Sequence, residues 1–248
     1  MAHEHSHDYV KANKEHHNSQ QHLEQHLAPV NRHMSGLAAE MLLHHFNFGP
    51  DTTVLDFACG AGMVSEKIRP HVKSIIGVDI AQQMVDTWNS RAKEAGFDAD
   101  NFYAVQTDGL RDDDEELDGK KFDVVICTQS YHHFPDLDAI TKALSRRLNP
   151  GGTLLVLDFD ATLDDLLNGA EQAIKNNVAH KHGFARDEFK AIFEKTGRFE
   201  SVTIEPTHQI TFGELRAFGG PHNPAMRNSA PDETVLKYHL AKAVRSSS

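Results

Sequence analysis

The sequence is short of cysteine, of positive charge and of long apolar runs, and each shortage removes a class of protein. Two cysteines in 248 residues, Cys59 and Cys127, cannot build a disulfide framework, so a reducing cytoplasmic setting is expected. Lys and Arg total 25 against 36 Asp and Glu, a net charge of −11. Such a chain lacks the basic face that nucleic-acid backbones and anionic membranes demand. No stretch approaches the roughly 20 apolar residues that span a bilayer. The opening MAHEHSHDYVKANKEHHNSQ has no apolar segment of the signal-peptide kind. No internal repeat appears, and no linker rich in Pro, Gly and Ser divides the chain. Its length suits a single α/β core. One residue type is in excess, with 18 histidines.

What is present begins with helical periodicity. Leu23, Leu27, Val30, Met34, Leu37, Met41 and Phe48 recur at three- and four-residue steps, and Pro29 splits this region into two helices. From Thr52 the texture changes to short apolar runs, TTVLDFAC, KSIIGVD, FYAVQ, FDVVICT and TLLVLDF. Near-continuous Val, Ile and Leu suit strands buried on both faces of a parallel sheet. Helices are expected between them at Met63–Arg69, Gln82–Ala95 and Leu137–Leu148, with another at Arg186–Thr196. FESVTIEPTHQI and TVLKYHLAKAVR alternate as two last strands. The expectation is a Rossmann-like, doubly wound α/β sheet of about seven strands, mostly parallel with an antiparallel last strand. Residues 1–50 form a helical cap in this reading. Residues 51–248 form the main domain, with insertions at about 160–185 and 211–234. The acidic run RDDDEELDGKK reads as a solvated loop.

The sharpest local signal is Val54-Leu55-Asp56-Phe57-Ala58-Cys59-Gly60-Ala61-Gly62, a strand entering Gly-x-Gly and then a helix. Glycines there allow a tight turn and a close backbone approach to a ligand. The second strand ends in Asp79, placed to accept hydrogen bonds from ribose hydroxyls. A dinucleotide fingerprint needs a third glycine, where Ser65 stands. Asp56 would also repel a pyrophosphate, whereas it would attract a positive amino group. The ligand read from these residues is a nucleoside carrying an amino-acid tail.

Asp-x-x-x-Gly-x-Gly, Gly77-Val78-Asp79-Ile80, Thr107-Asp108-Gly109 and Leu148-Asn149-Pro150-Gly151-Gly152 together resemble the class I S-adenosylmethionine-dependent methyltransferases. VLDFACGAG with SYHHFPD is similar to small-molecule methyltransferases of fungi, thiol S-methyltransferases of secondary metabolism among them. The resemblance implies S-adenosyl-L-methionine as cofactor. Asp56 would bind its amino group, while Cys59, Gly60 and Gly62 would wrap the methionine portion. Asp79 would hold the ribose, and Ile80 and Met84 would pack on ribose and adenine. Asp108 would take the adenine amino group, with Gly109 and Leu110 beside the ring. Thr128 and Gln129 would face the methionine tail.

Ligands of such sheets bind beyond the carboxyl ends of the strands, which puts Tyr131, His132, His133, His180 and His182 on the active face. The segment from Phe212 to Pro231, with Phe218 and His222, reads as a lid or pocket wall there. A hydroxyl acceptor needs a base, for which His132 ranks first, then His182 and His180. A thiol, with a pKa of about 8.5, needs only mild help. His133 is expected to point inward as a packing residue. His3, His5 and His7 form a terminal tract, and His16, His17, His22 and His26 a polar helix face, with no metal site. Cys59 and Cys127 end neighbouring strands and are expected close together as packing residues. The expected acceptor is a small molecule, a thiol narrowly ahead of an oxygen or nitrogen of an aromatic metabolite. A protein that binds the cofactor without turnover is the competing class. Nucleic-acid amino methylation is disfavoured, because Thr128-Gln129-Ser130-Tyr131 stands where Asn/Asp-Pro-Pro-Tyr would be.

Overall fold

The computed structural model describes residues 11–108, 117, 119–160, 178–219 and 231–247. Among them, strands β1 (Thr53–Phe57), β2 (Ser74–Asp79), β3 (Phe102–Gln106), β4 (Phe122–Thr128), β5 (Leu148–Phe159), β6 (Phe199–Thr211) and β7 (Val235–Arg245) form one sheet. Its order is β3-β2-β1-β4-β5-β7-β6. The neighbours from β3 to β5 run parallel, while β7 lies antiparallel between β5 and β6. The mostly parallel α/β expectation is therefore met, and the chain changes direction across the sheet between β1 and β4. A crevice at the carboxyl ends of these two strands follows from that reversal.

The apolar runs are continuous because both faces of the sheet are covered. Val54, Ile75, Val124 and Leu155 pack into the core on one face, and Leu55, Ile76, Val125 and Leu154 into the core on the other. Successive side chains of a strand point to opposite faces, so every second residue feeds the same core. Besides a helical stretch at residues 11–17, the α-helices among the described residues are α1 (Gln20–His26), α2 (Pro29–His45), α3 (Met63–Ile68), α4 (Gln82–Glu94), α5 (Leu137–Arg146), α6 (Arg186–Glu194) and α7 (Phe212–Gly219). Pro29 opens α2, where a missing N–H costs nothing, and so separates α1 from α2 as expected. α2 buries Val30, Met34, Ala38 and Leu42 in the first core. α5 stops before Leu148, because Leu148 already pairs with Phe122 at the start of β5. No helix of the described residues is long and apolar enough to cross a membrane.

Candidate active site

The loop after β1 is built on left-handed backbone. Ala58, Gly60 and Gly62 have φ of 57°, 54° and 80°. Ala58 is a position that glycine would fill with less strain, and no sequence pattern had marked it. The loop is held to β2 by Cys59 N–H donating to the Val78 carbonyl at 3.1 Å. Gly60 N–H donates to Asp79 Oδ2 at 2.8 Å, and Ala81 N–H to Asp79 Oδ1 at 2.9 Å. One carboxylate thus ties together the glycine loop and the turn into α4. Burial pushes the Asp79 carboxyl above the usual range, and these backbone donors oppose the shift.

Asp56, at the end of β1, is 1% exposed. Its Oδ2 accepts from Ser65 Oγ at 2.7 Å, whereas its Oδ1 is buried with no partner. Burial raises its pKa to about 7, the Ser65 hydroxyl opposes that rise and the Asp79 charge adds to it. A buried carboxylate oxygen lacking a donor is costly, and an ammonium group or a hydrated one would relieve it. The residue that displaced the third glycine, Ser65, is the one that anchors this carboxylate.

The remaining positions expected to touch a cofactor divide. Met84 is 1% exposed and packs with Ala61 and Ala81 against Leu23 of α1 and Leu27 just beyond it, with Ile80 at the edge. Asp108 is exposed, where its Oδ1 accepts from Lys14 Nζ at 2.6 Å and from Gln106 Nε2 at 2.7 Å. Thr128 ends β4, and its carbonyl accepts from Ser130 Oγ. Gln129, with φ of 54°, turns its amide to Tyr238 of β7, donating at 3.3 Å. Gly109 and Leu110 lie outside the described residues, as do most of the acidic run, the tract of His3, His5 and His7, His222, residues 161–177 of the first insertion and 220–230 of the second. The two cysteines are not neighbours in one core. Cys59, in the loop after β1, packs on the first core and Cys127, within β4, lies in the second.

His132 follows β4 in a short 3-10 turn and is 6% exposed. Its Nδ1–H donates to Asp158 Oδ1 at 2.8 Å, and its backbone N–H reaches Asp158 Oδ2 at 3.2 Å. Asp158 is fully buried at the end of β5 and also accepts from Phe159 N–H at 2.7 Å. A carboxylate on Nδ1 fixes the tautomer and leaves Nε2 as the accepting nitrogen. His132, not His133, is thus the buried member of the pair, since β5 offers a carboxylate to the first ring. His133 is partly buried, with its ring centroid 4.2 Å from that of His132. His180 sits beside them, its N–H on the His132 carbonyl at 2.9 Å and its Nε2 on the Phe134 carbonyl at 3.0 Å. Burial lowers its pKa. His182 lies on an exposed turn.

The largest departure from expectation is the N-terminal histidine face. His16, His17, His22 and His26 do not share one polar helix face: residues 11–17 and Gln20–His26 are separate helical stretches, and residues 11–27 cross the carboxyl edge of the sheet as a strap. His17 Nδ1 and His22 Nε2 share a hydrogen bond at 2.8 Å, and the His17 ring lies 5.6 Å from that of His133. Ala61 N–H donates to His26 Nε2 at 3.2 Å. Asn18 Oδ1 accepts from Gln83 N–H at 3.1 Å. Burial and the neighbouring imidazoles lower His22 to about 3, and burial with the Arg91 charge lowers His26 to about 4. A four-residue repeat reports one helix face but not what lies across from it. Among the described residues, no three His, Cys, Asp or Glu side chains converge as metal ligands.

Comparison with known proteins shows the family and the fold. The methyltransferase domain family matches residues 30–202. An uncharacterized methyltransferase of Schizosaccharomyces pombe is 33% identical over 156 residues, covering 61% of this chain and 55% of the relative. The glycine N-methyltransferase of Mus musculus is 29% identical over 170 residues, 63% of this chain and 56% of its own length. The chain spans about half the length of the curated relatives it matches. In fold it is similar to the YcgJ protein of Bacillus subtilis, with a TM-score of 0.62 at 22% identity over 86% of this chain and 99% of that one. Geranyl diphosphate C-methyltransferase from Streptomyces coelicolor gives a TM-score of 0.62 at 17% identity, covering 96% of this chain and 97% of its own. With more than half its length inside the family's match, the chain belongs to the methyltransferase domain family.

Proposed function

We propose that this protein transfers a methyl group from S-adenosyl-L-methionine to a small-molecule acceptor. The observation that carries the reading is the unpartnered, buried Oδ1 of Asp56 beside a glycine loop clamped by Asp79. Those residues fit an amino-acid tail joined to a nucleoside: Asp56 receives the amino group, the left-handed loop lets backbone approach the tail, and Asp79 lies where ribose hydroxyls would be accepted. Ile80 and Met84 supply the apolar wall for ribose and base, and Asp108 the edge for adenine. When bound, the cofactor supplies an electrophilic methyl group on a sulfonium.

The chain's own part is to align an acceptor, exclude water and take a proton. His132 is the base. Asp158 holds the proton on Nδ1, so Nε2 accepts the proton that the acceptor loses as its bond to the methyl group forms. A thiol is the first acceptor in this reading, because it is the most readily deprotonated under so mild a base. The buried His132–Asp158 pair supports a phenolic hydroxyl as second, since an acceptor of higher pKa leans more heavily on a held base than a thiol does. Residues 1–50 act as a cap over the site, and residues 51–248 carry the cofactor.

The test is a screen with radiolabelled methyl donor against matched aryl thiols and phenols. The reading expects label in thiols first, and its loss in a His132→Ala variant. Label in the phenols alone would select the second acceptor. Tight cofactor binding with no labelled product from any small molecule would select a binding protein instead.

A further inference from the structure

The strap touches the expected cofactor site at three places, in a fixed order. Lys14 meets Asp108 beyond β3, at the adenine end. Asn18 meets the first turn of α4 beside Asp79, at the ribose. His26 meets the glycine loop, at the amino-acid tail. Between them Leu23 and Leu27 pack on Ala61, Ala81 and Met84, so the register of the strap is set by apolar contact as well as by polar anchors. The fit at His26 is close: a Cβ on Gly60 would lie 2.8 Å from both Cε1 and Nε2 of the imidazole. A glycine at 60 therefore serves a side chain of this chain, as well as any ligand.

The hydrogen bond at that point identifies what His26 is for. The Ala61 amide donates to a ring nitrogen, so one N–H of the glycine loop is engaged by an acceptor from the strap. In an α-amino acid the carboxylate is one carbon from the amino group, so an ammonium held at Asp56 brings its carboxylate to the same loop. We propose that His26 is a cofactor-binding residue: the strap delivers its imidazole to the glycine loop, where it binds the carboxylate of the amino-acid tail. The imidazole yields the Ala61 N–H to one carboxylate oxygen and turns its own ring N–H onto the other. Moving the ring proton from Nδ1 to Nε2 suffices, and no net proton is gained. The inference rests on the cofactor reading above and adds a residue that neither the glycine motif nor the strand ends contain.

The test is calorimetric titration of the full chain with two ligands, S-adenosylhomocysteine and 5′-methylthioadenosine, which keeps the nucleoside and lacks the amino-acid tail. In His26→Ala the affinity for the first should fall about tenfold, as expected for one charge-assisted hydrogen bond, while that for the second changes by less than about twofold. His26→Gln, which keeps a donor and an acceptor, should stay within about threefold of wild type on both. His26→Phe keeps the ring's bulk without its nitrogens, and it should repeat the alanine result if His26→Ala fails to fold. Equal losses on both ligands would reduce His26 to a strap anchor, and unchanged or tighter binding of the first would make it a competitor of the carboxylate. Either result overturns the proposal while leaving the cofactor reading intact. Failure of the wild-type chain to bind S-adenosylhomocysteine overturns both.

Discussion

The carboxyl edge of the sheet and the strap that crosses it lie in contact, yet they are built on opposite terms. The edge is acidic and held by backbone: Asp79 bridges two loops, Asp56 is anchored by Ser65, and Asp158 holds His132. The strap is basic in kind but neutral in state, with imidazoles whose protonation is suppressed by burial and by one another. The edge owes its position to strands that are fully packed on both faces. The strap rests on two leucines and a few polar anchors. On the proposed function, chemistry that must not move would sit on the first, and the second would be the part that admits a ligand.

The largest effect expected from breaking this division lies on the edge. Replacing His132 by Ala should lower kcat by about 10²–10³ while cofactor affinity stays near wild type. Asp158→Asn keeps the shape but no longer holds the proton on Nδ1, and it should lose a comparable factor. Its pH profile should also shift, which a purely structural role would not produce. Steady-state kinetics beside cofactor titrations separate the two effects. A parallel loss of cofactor binding would mean that His132 belongs to the cofactor pocket.

The next largest effect is at the contact between the two regions. Gly60→Ala meets both a left-handed backbone and the His26 ring, and should destabilise the protein by about 2 kcal/mol in urea titrations. Adding His26→Ala removes the collision but not the backbone strain, so the two changes should be strongly non-additive. Simple additivity would show that the strap does not press on the loop.

The smallest effect is the acid response of the strap. The docked imidazoles of His17, His22 and His26 titrate below the ordinary value of 6.5, with His22 at about 3 and His26 at about 4. A group whose pKa is depressed on docking contributes stability above its free pKa and loses it as pH falls toward the docked value. His16, His133 and Arg91 face this cluster and add to its reluctance to charge. Amide exchange in residues 11–27 should therefore quicken several-fold between pH 7.5 and pH 5, roughly, while that in β1 and β4 holds after correction for intrinsic rates. Uniform exchange across strap and strands would contradict the division.

Most of the sheet was legible because its rules are local. Continuous Val, Ile and Leu mark a strand covered on both faces, Pro29 marks a helix start, and Gly-x-Gly followed by an acid at the end of the next strand marks a ligand crevice. The strand-end positions of Asp56 and Asp79 were legible for the same reason. Leu148 was misplaced by two residues, since its apolar side chain suits the end of α5 as well as the start of β5, and only pairing with Phe122 decides. The inward histidine was assigned to His133 because a carboxylate 26 residues away, Asp158, cannot be seen from a local pattern. The strap is the strongest case. Its histidines recur as they would on any polar helix, and their partners, Ala61, Gln83 and His133, come from three other segments of the chain. What a helix face packs against is a property of topology, not of its own spacing.

The most direct test of the central claim is a calorimetric titration of S-adenosylhomocysteine into the wild-type chain beside its Asp56→Asn variant near pH 7.5. The account predicts saturable one-to-one binding to the wild type, weakened by about tenfold when the carboxylate that receives the amino group becomes an amide. No saturable heat with the wild type, or equal affinity in both proteins, would contradict it.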